Sequence, residues 1–453
     1  MDPLQLISQP LRLQMAAWRR DLHTHPETAF EEHRTSDIVA AALGAMGMAV
    51  DRGLGGTGVV GTLCNGKGPC VGLRADMDAL NMQEKGDCPH VSAYPGKMHA
   101  CGHDGHTAML LGAAAYLSEH KPFRGTLHFI FQPAEENEGG GRRMVEQGLF
   151  ERFPCDAVYG LHNFPQFPLG TFAIREGAMF SASDFFEIKI TGKGAHAAAP
   201  HTGTDAIVAA AYVVAALQNV VSRNVDPLES LILSVTQIKA GDTWNVLPQE
   251  ALIRGTCRSF AAPVRKLAQE RIGQICDGIA LSSATRIELD YREGYPAVVN
   301  PAAPTQAAIR AAQAVAGEAN VDTHCRPRVG SEDFSFMQQA RPGAYIMLGT
   351  AHSDNDPPLH NPYYDFNDDA LPFGAAYWIT LAQQLLPQGP GLPLRQESGL
   401  AEIHSRPRHG HLPPLDGSRH SPDPGGQPRA ESHSFPSAPD ARRPMPNGAC
   451  ATT

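Results

Sequence analysis

Charge is scarce in this chain and nowhere gathered into a basic stripe. Charged residues make up 19% of its 453 residues and the formal net charge is -10, so no nucleic-acid partner is expected. Long apolar runs are also wanting. No stretch approaches the roughly 20 residues needed to span a bilayer, so no membrane partner is expected either. Met1-Asp2-Pro3-Leu4 carries no basic segment followed by an apolar one, and no signal peptide is expected. Cysteine is scattered and odd in number, at nine. That argues against a disulfide framework and predicts reduced thiols in a cytoplasmic setting. What remains is an ordinary globular composition, 42% apolar, in a chain long enough for two domains and a sizeable core.

The chemistry concentrates between Met98 and Thr107. Met98-His99-Ala100-Cys101-Gly102-His103-Asp104-Gly105-His106-Thr107 holds five residues able to bind a metal or move a proton. Cys101 and His103 are two apart, so in an extended turn both can point the same way. Gly102 and Gly105 let the backbone bend without a Cβ clash. From His106 to Leu117 the chain is rich in Ala and Leu, which predicts a helix and places the cluster at a loop-to-helix junction. Thiolate plus imidazole is the mixture that zinc-like ions prefer. The alternative is a His-rich loop with a buried free cysteine.

Upstream, Leu6, Leu11, Leu13, Met15 and Trp18 predict a helix from Leu4 to about His23. His25-Pro26-Glu27 ends it, because the residue before a proline avoids the α region. His25 and Glu27 read as surface charges of a helix-end loop. A second helix is expected from about Glu31 to Met46. Gly53-Leu54-Gly55-Gly56-Thr57-Gly58 has the glycines of a phosphate loop but leads into a strand pattern, not a helix, so nucleotide binding is not expected. Val71-Gly72-Leu73-Arg74-Ala75 reads as a buried strand ending in Asp76-Met77-Asp78. Those carboxylates could be ligands, groups behind the ligands, or a solvated turn. A strand over Gly125–Phe131 precedes Glu135 and Glu136. Adjacent glutamates point apart, which suits one metal ligand and one proton carrier. A strand over Asp156–Leu161 ends in His162-Asn163. Three successive strand ends thus carry potential ligands, where open α/β sheets place their sites.

From about Ser183 the pattern becomes strand–helix–strand–strand–helix–strand, ending near Tyr291. That fits a small α+β, ferredoxin-like domain. Near Gly294-Tyr295-Pro296 the chain returns to the first domain, with helices expected from about Pro304 to Ala316 and Asp368 to Leu386. The expected fold class is α/β, a mixed sheet flanked by helices. Its large domain comes in two segments, 1–184 and 295–390, around an inserted domain at 185–294. Residues 391–453 hold eleven prolines, one aromatic residue and no lysine, which predicts a disordered tail.

The ordered set Asp76-Met77-Asp78, His99-Ala100-Cys101-Gly102-His103-Asp104, Gln132-Pro133-Ala134-Glu135-Glu136, Leu161-His162-Asn163, Gly192-Lys193-Gly194-Ala195-His196 and Leu359-His360-Asn361-Pro362 resembles the M20 metallopeptidases. Within them it is similar to the amidohydrolase branch of hippurate hydrolase, N-acyl-amino-acid deacylases and plant auxin-conjugate hydrolases. Trp18-Arg19-Arg20-Asp21-Leu22-His23-Thr24-His25-Pro26-Glu27 resembles that branch's opening motif. The resemblance covers about residues 10 to 388. One departure is Asn81, where the branch usually has proline after Ala-Leu; it should affect a turn and not the chemistry.

The resemblance implies two divalent ions per subunit, zinc or manganese, with cobalt or nickel acceptable. It implies Cys101, His103, Glu136, His162 and His360 as ligands, with Cys101 where other branches have a bridging carboxylate. Asp78 would orient a ligand and Glu135 would be general base and acid. His196 would stabilise the oxyanion, often across a dimer interface. Asn245 and Arg258 would hold the substrate's carboxylate, with Arg254 a rival. The inserted domain would be a lid and dimerisation domain, making the protein a homodimer. The implied reaction is hydrolysis of a small N-acyl amino acid such as hippurate at its amide bond. Met179 and Phe180 are expected to line an apolar acyl pocket. Other readings are a dipeptidase or carbamoylase of the same superfamily, and a catalytically silent metal-binding scaffold. Glu135 beside Glu136 favours an enzyme, since a pure binder has no use for the base.

Overall fold

At three helix starts, free backbone N–H groups are met by side chains that precede them. Ser8 caps the Gln9–Thr24 helix, which has a proline in its first turn. Glu27 is not a loose surface charge: its carboxylate accepts from the Arg34 and Thr35 N–H groups at 3.0 and 2.8 Å, at the start of the His33–Ala45 helix. Asp205 accepts from Ile207 and Val208 N–H and starts the Ala206–Asn219 helix. The computed structural model describes residues 3–388, apart from 137 and 354. The expectation of a disordered tail at 391–453 lies outside the described residues.

The large sheet has eight strands. Their order is Ala49–Leu54, Gly58–Asn65, Gly125–Gln132, Cys70–Asp76, Ala157–Phe164, Gly343–Gly349, Phe172–Ala173 and Val321–Asp322. The third to sixth of these run parallel and are almost wholly buried. Burial on both faces explains their continuous apolar runs. Each fully buried phenylalanine, such as Phe129 or Phe131, contributes roughly 1.5–3 kcal/mol. The His103–His120 and Leu371–Leu385 helices are buried nearly all round, and the Gln9–Thr24 helix packs against the first of them. The Gly343–Gly349 strand was not expected from the sequence, although Ala344-Tyr345-Ile346-Met347-Leu348 is an apolar run between glycines. The Gly53–Gly58 glycines turn the hairpin between the first two strands and lead into the expected strand, here Gly58–Asn65.

A second sheet, Leu231–Ala240, Glu250–Ser259, Ala182–Thr191 and Arg286–Glu293, is antiparallel throughout. Phe186, Ile188 and Ile190 point into its core while Phe185 and Lys189 face out, the period-2 alternation of a half-buried strand. The Ala206–Asn219 and Ala262–Ser283 helices supply the rest of that apolar core, which is distinct from the core of the large sheet.

Two expectations need correction. The helix over Ala206–Asn224 is long and apolar enough to cross a membrane by length and composition. Gln218 and Asn219 interrupt the run in sequence, but the helix continues through them. Its inner stripe of Ala206, Ala209, Ala210, Val213 and Leu217 packs on the small sheet, while Ile207, Val208 and Tyr212 stay exposed. Met179 does not line an open pocket. It is fully buried, and Phe180 packs edge-on to Tyr345. Their strand, Gly177–Phe180, pairs with Val298–Asn300 inside the main core, so the packing of a second chain segment claims those side chains.

Candidate metal centre

Three neighbouring parallel strands end on one side of the large sheet and deliver Asp76, Glu135 with Glu136, and His162. The His103–His120 helix starts against them. Its N-terminal flank, Gly102, has φ +90°, and a Cβ there would lie 2.5 Å from Asn163 Oδ1. Only glycine permits this approach. Ala134 (φ +52°) and His360 (φ +63°) also take left-handed backbone. Such conformations are uncommon outside glycine, and both sit where the chain presents a candidate ligand or base.

The side chains converge as two sets. Potential ligand atoms of Cys101, His103 and His162 lie within 4.8 Å of one another, and so do those of Cys101, Glu136 and His360. Cys101 belongs to both. Its Sγ is 3.5 Å from His162 Nε2, and His360 Nε2 is 3.0 Å from Glu136 Oε1. The ring of His103 is held from behind: Nδ1 donates to Asp78, with O at 2.9 Å and Oδ1 at 3.1 Å. Its Nε2 is buried with no hydrogen-bond partner among the described residues. His162 Nδ1 donates to the Asn163 carbonyl, which leaves its Nε2 toward Cys101. Imidazoles fixed at one nitrogen and open at the other are how proteins present histidine to a metal. The orphaned His103 Nε2, the thiol and the carboxylate together fit a pair of divalent cations.

Electrostatics point the same way. Burial, reinforced by Glu136 and Glu135, pushes the Cys101 thiol well above its usual range. Burial and the charges of Glu332 and Glu136 hold the Glu135 carboxyl well above its usual range. Burial opposes charge on His103, but Asp76 and Asp78 outweigh it and raise its pKa to about 10. His162 is pushed well below its usual value by burial and by His106. Buried acids that resist ionising this way lack a counter-charge, and a cation supplies one.

Comparison with known proteins settles the family. The model of peptidase family M20/M25/M40 matches residues 72–384. This chain belongs to that family. It is 41% identical over 369 residues to the hippurate hydrolase of Campylobacter jejuni, covering 81% of this chain and 95% of the relative. It is also 41% identical to an IAA-amino acid hydrolase of Arabidopsis thaliana, covering 82% of this chain and 86% of the relative. The solved Bacillus subtilis YXEP protein, a dinuclear metal binding peptidase from the M20 family, superposes with a TM-score of 0.73 at 32% identity. That match covers 84% of this chain and 99% of the other. The chain is a metal-dependent amidohydrolase with the α/β fold of its family.

Around the M20 centre lies a charged layer that sequence reasoning passed over. Buried Arg74 donates to Asp76 at 2.7 Å, Gln132 at 2.8 Å, Glu332 at 3.0 Å and Asp333 at 3.1 Å. Breaking such a buried set by removing the cation costs about 3–5 kcal/mol. Asp76 is therefore neither a solvated turn nor free: it pairs with Arg74 and accepts from His106 Nδ1. His106 Nε2 accepts from the Asn163 N–H at 3.0 Å. Arg328 is a second omission. Its guanidinium lies 5.0 Å from the ring centroids of both Phe164 and Phe167, beside the His162 strand. No motif marks it, because the rings and the arginine come from distant segments.

The remaining expected residues lie on the small lobe. His196 is exposed on the two-residue strand Ala195–His196, which pairs with Val246–Leu247. Asn245 adjoins it, its carbonyl accepting from the Ala197 N–H at 3.0 Å. Arg258 bonds to Thr256 Oγ1 and to the Cys257 carbonyl. Its rival Arg254 is ion-paired with Glu187 at 2.6 Å, whereas the Arg258 guanidinium lies over the Phe185 ring. The structure brings His196 and Asn245 together, and it carries them on a different lobe from Cys101.

Proposed function

We propose that this chain cleaves the amide of N-acyl amino acids bearing a free α-carboxylate, hippurate-like compounds among them, releasing a carboxylic acid and the amino acid. The observation that carries the reading is Glu135, buried beside two ligand sets that share Cys101. In it Cys101, His103, Glu136, His162 and His360 would hold two ions, zinc or manganese, with cobalt or nickel tolerated, and Cys101 belongs to both groups of ligand atoms. Bound there, the ions would supply a Lewis acid that lowers the pKa of a water and polarises the amide carbonyl. Asp78 fixes the His103 ring. Glu135 takes the water's proton and passes it to the leaving nitrogen. Its burial raises its proton affinity, which suits a group that must hold a proton between two steps. Arg258 and Asn245 hold the carboxylate.

Burying a carboxylate without its partner is expensive, so blocking it with a methyl ester or amide should cost about 2–3 kcal/mol, or roughly 30- to 150-fold in kcat/KM. Arg258→Ala should narrow that gap by harming the free acids most. Equal rates on free and blocked substrates across a panel of N-benzoyl and N-acetyl amino acids would favour a general peptidase or carbamoylase instead.

The domain division we propose is a catalytic body (1–184 and 295–390) with the 185–294 lobe as lid and dimerisation domain. Ile207, Val208 and Tyr212 on the outer face of its first helix and Ile238 on its edge strand are exposed apolar side chains. They suit a second copy of the chain, and in such a homodimer His196 serves the partner's site. Mixing inactive His196→Ala with inactive Glu135→Gln subunits should restore part of the activity. None after confirmed subunit exchange would sink the shared site. The eight described cysteines are free, in keeping with a cytoplasmic location, which cell fractionation tests.

A further inference from the structure

Asp104 follows His103 on the first turn of the same helix, but its side chain is turned away from the M20 centre. It meets His23 at the end of the Gln9–Thr24 helix, where Nδ1 donates to Asp104 Oδ2 at 2.8 Å. His23 Nε2 then faces a second group of ligand-type side chains. Glu84 Oε1 is 3.3 Å from it and 3.8 Å from Cys88 Sγ. An Asp365 carboxylate oxygen completes a triad with His23 and Cys88, all within 4.8 Å of one another. His90 Nε2 is 3.0 Å from Asp365 Oδ1.

We propose that His23, Cys88 and Asp365, with Glu84 or His90 as the fourth ligand, form a third divalent-cation site of zinc type that staples the 84–92 loop to the segment following His360.

Four observations carry it. The donor set mixes imidazole, thiol and carboxylate, the combination zinc takes in four-coordinate sites. The His23 ring is preorganised as His103 is, with a carboxylate on one nitrogen and the other aimed at the cluster. Glu84 is held too, since its Oε2 accepts from the Ser92 N–H at 2.7 Å and leaves Oε1 toward His23. Around the cluster, Glu84, Asp104, Asp365 and Asp368 face the guanidiniums of Arg19 and Arg20 and the imidazoles of His23 and His90. Beside it His99 is fully buried, neither ring nitrogen has a hydrogen-bond partner among the described residues, and its ring centroid is 6.2 Å from that of His23. Such an unpartnered polar ring marks a place where the protein's own groups do not close the accounts of burial.

The alternative is a plain ion-pair network in which His23 carries the charge as a proton. Burial opposes that proton, but the hydrogen bonds His23 donates to Asp104 and Glu84 outweigh it and raise its pKa to about 9. Burial and Asp365 raise the Cys88 thiol to about 11. Proton and cation therefore compete for the same atoms, and the two arrangements differ by the thiolate.

Metal content separates them. Full-length protein stripped with a chelator, reloaded with zinc and dialysed should hold three ions per chain by elemental analysis. Cys88→Ser should hold two, the M20 pair alone. Cys88 is only partly buried, so serine should leave the fold intact, and circular dichroism checks it. Independently, cobalt-loaded Cys101→Ser lacks the thiolate of the M20 centre yet should keep a thiolate-to-cobalt absorption band, which Cys88→Ser in that background removes. Two ions in the wild-type chain, an equal count in Cys88→Ser, or no band in the Cys101→Ser protein would each overturn the site. These readouts do not use turnover, so they stand or fall apart from the proposed amidase reaction.

Discussion

Glu135→Gln is expected to lower kcat by about 10³–10⁴-fold, the upper range for loss of a general acid–base group, while metal content stays at the wild-type value. Glutamine keeps the size and the polarity of the side chain but cannot exchange the proton. Glu135 is absent from the triads Cys101–His103–His162 and Cys101–Glu136–His360, although its carboxylate also groups with His103 and Glu136. Its backbone is anchored separately, with the carbonyl accepting from Tyr295 OH at 2.7 Å, so the substitution should not displace Glu136. KM should change little, because the lost interaction is one of the transition state. Two measurements decide it, single-turnover kinetics and elemental analysis on the same preparation. Near-normal turnover would remove Glu135 from the chemistry, and loss of metal would make it a ligand.

Chelation should have a still larger effect, taking activity to background, with zinc, manganese or cobalt restoring it. Without cations the pocket holds a protonated thiol and a protonated carboxyl, because burial favours the neutral forms. Nothing there then activates water at neutral pH. Rebinding should also raise the melting temperature, since a ligand that binds only the folded chain stabilises it by mass action. The metal that restores the highest kcat/KM at equal occupancy identifies the preferred ion. Full activity in protein shown to be metal-free would end the metal-centre reading.

Much of this protein was legible in its sequence, and the legible parts are local. Helix limits follow from prolines, caps and apolar spacing within a turn or two, so the second helix, expected from about Glu31 to Met46, runs over His33–Ala45. The strand–helix–strand–strand–helix–strand order of the small lobe follows from periods of 2 and 3.6, which need no partner to be seen. The ordered ligand motifs are short and contiguous, and through their resemblance to M20 enzymes they carried the family. Their physical grouping around Cys101 agrees with that order.

Other features were decided by tertiary structure, because they join residues with no periodic relation along the chain. The Gly343–Gly349 strand lies in the buried part of the sheet only because the Ala157–Phe164 strand pairs with it. Met179 is buried by a segment more than a hundred residues further on. Asp76 could have been a ligand, a group behind one, or a turn, until Arg74 and His106 were found on its two oxygens. The cluster of His23, Glu84, Cys88, His90 and Asp365 draws on three separate segments, and no spacing in the sequence announces it. Sequence alone specified which side chains could do chemistry. Folding chose which of them meet, since only close packing brings donors from distant segments within the few ångströms at which a proton or a cation is shared.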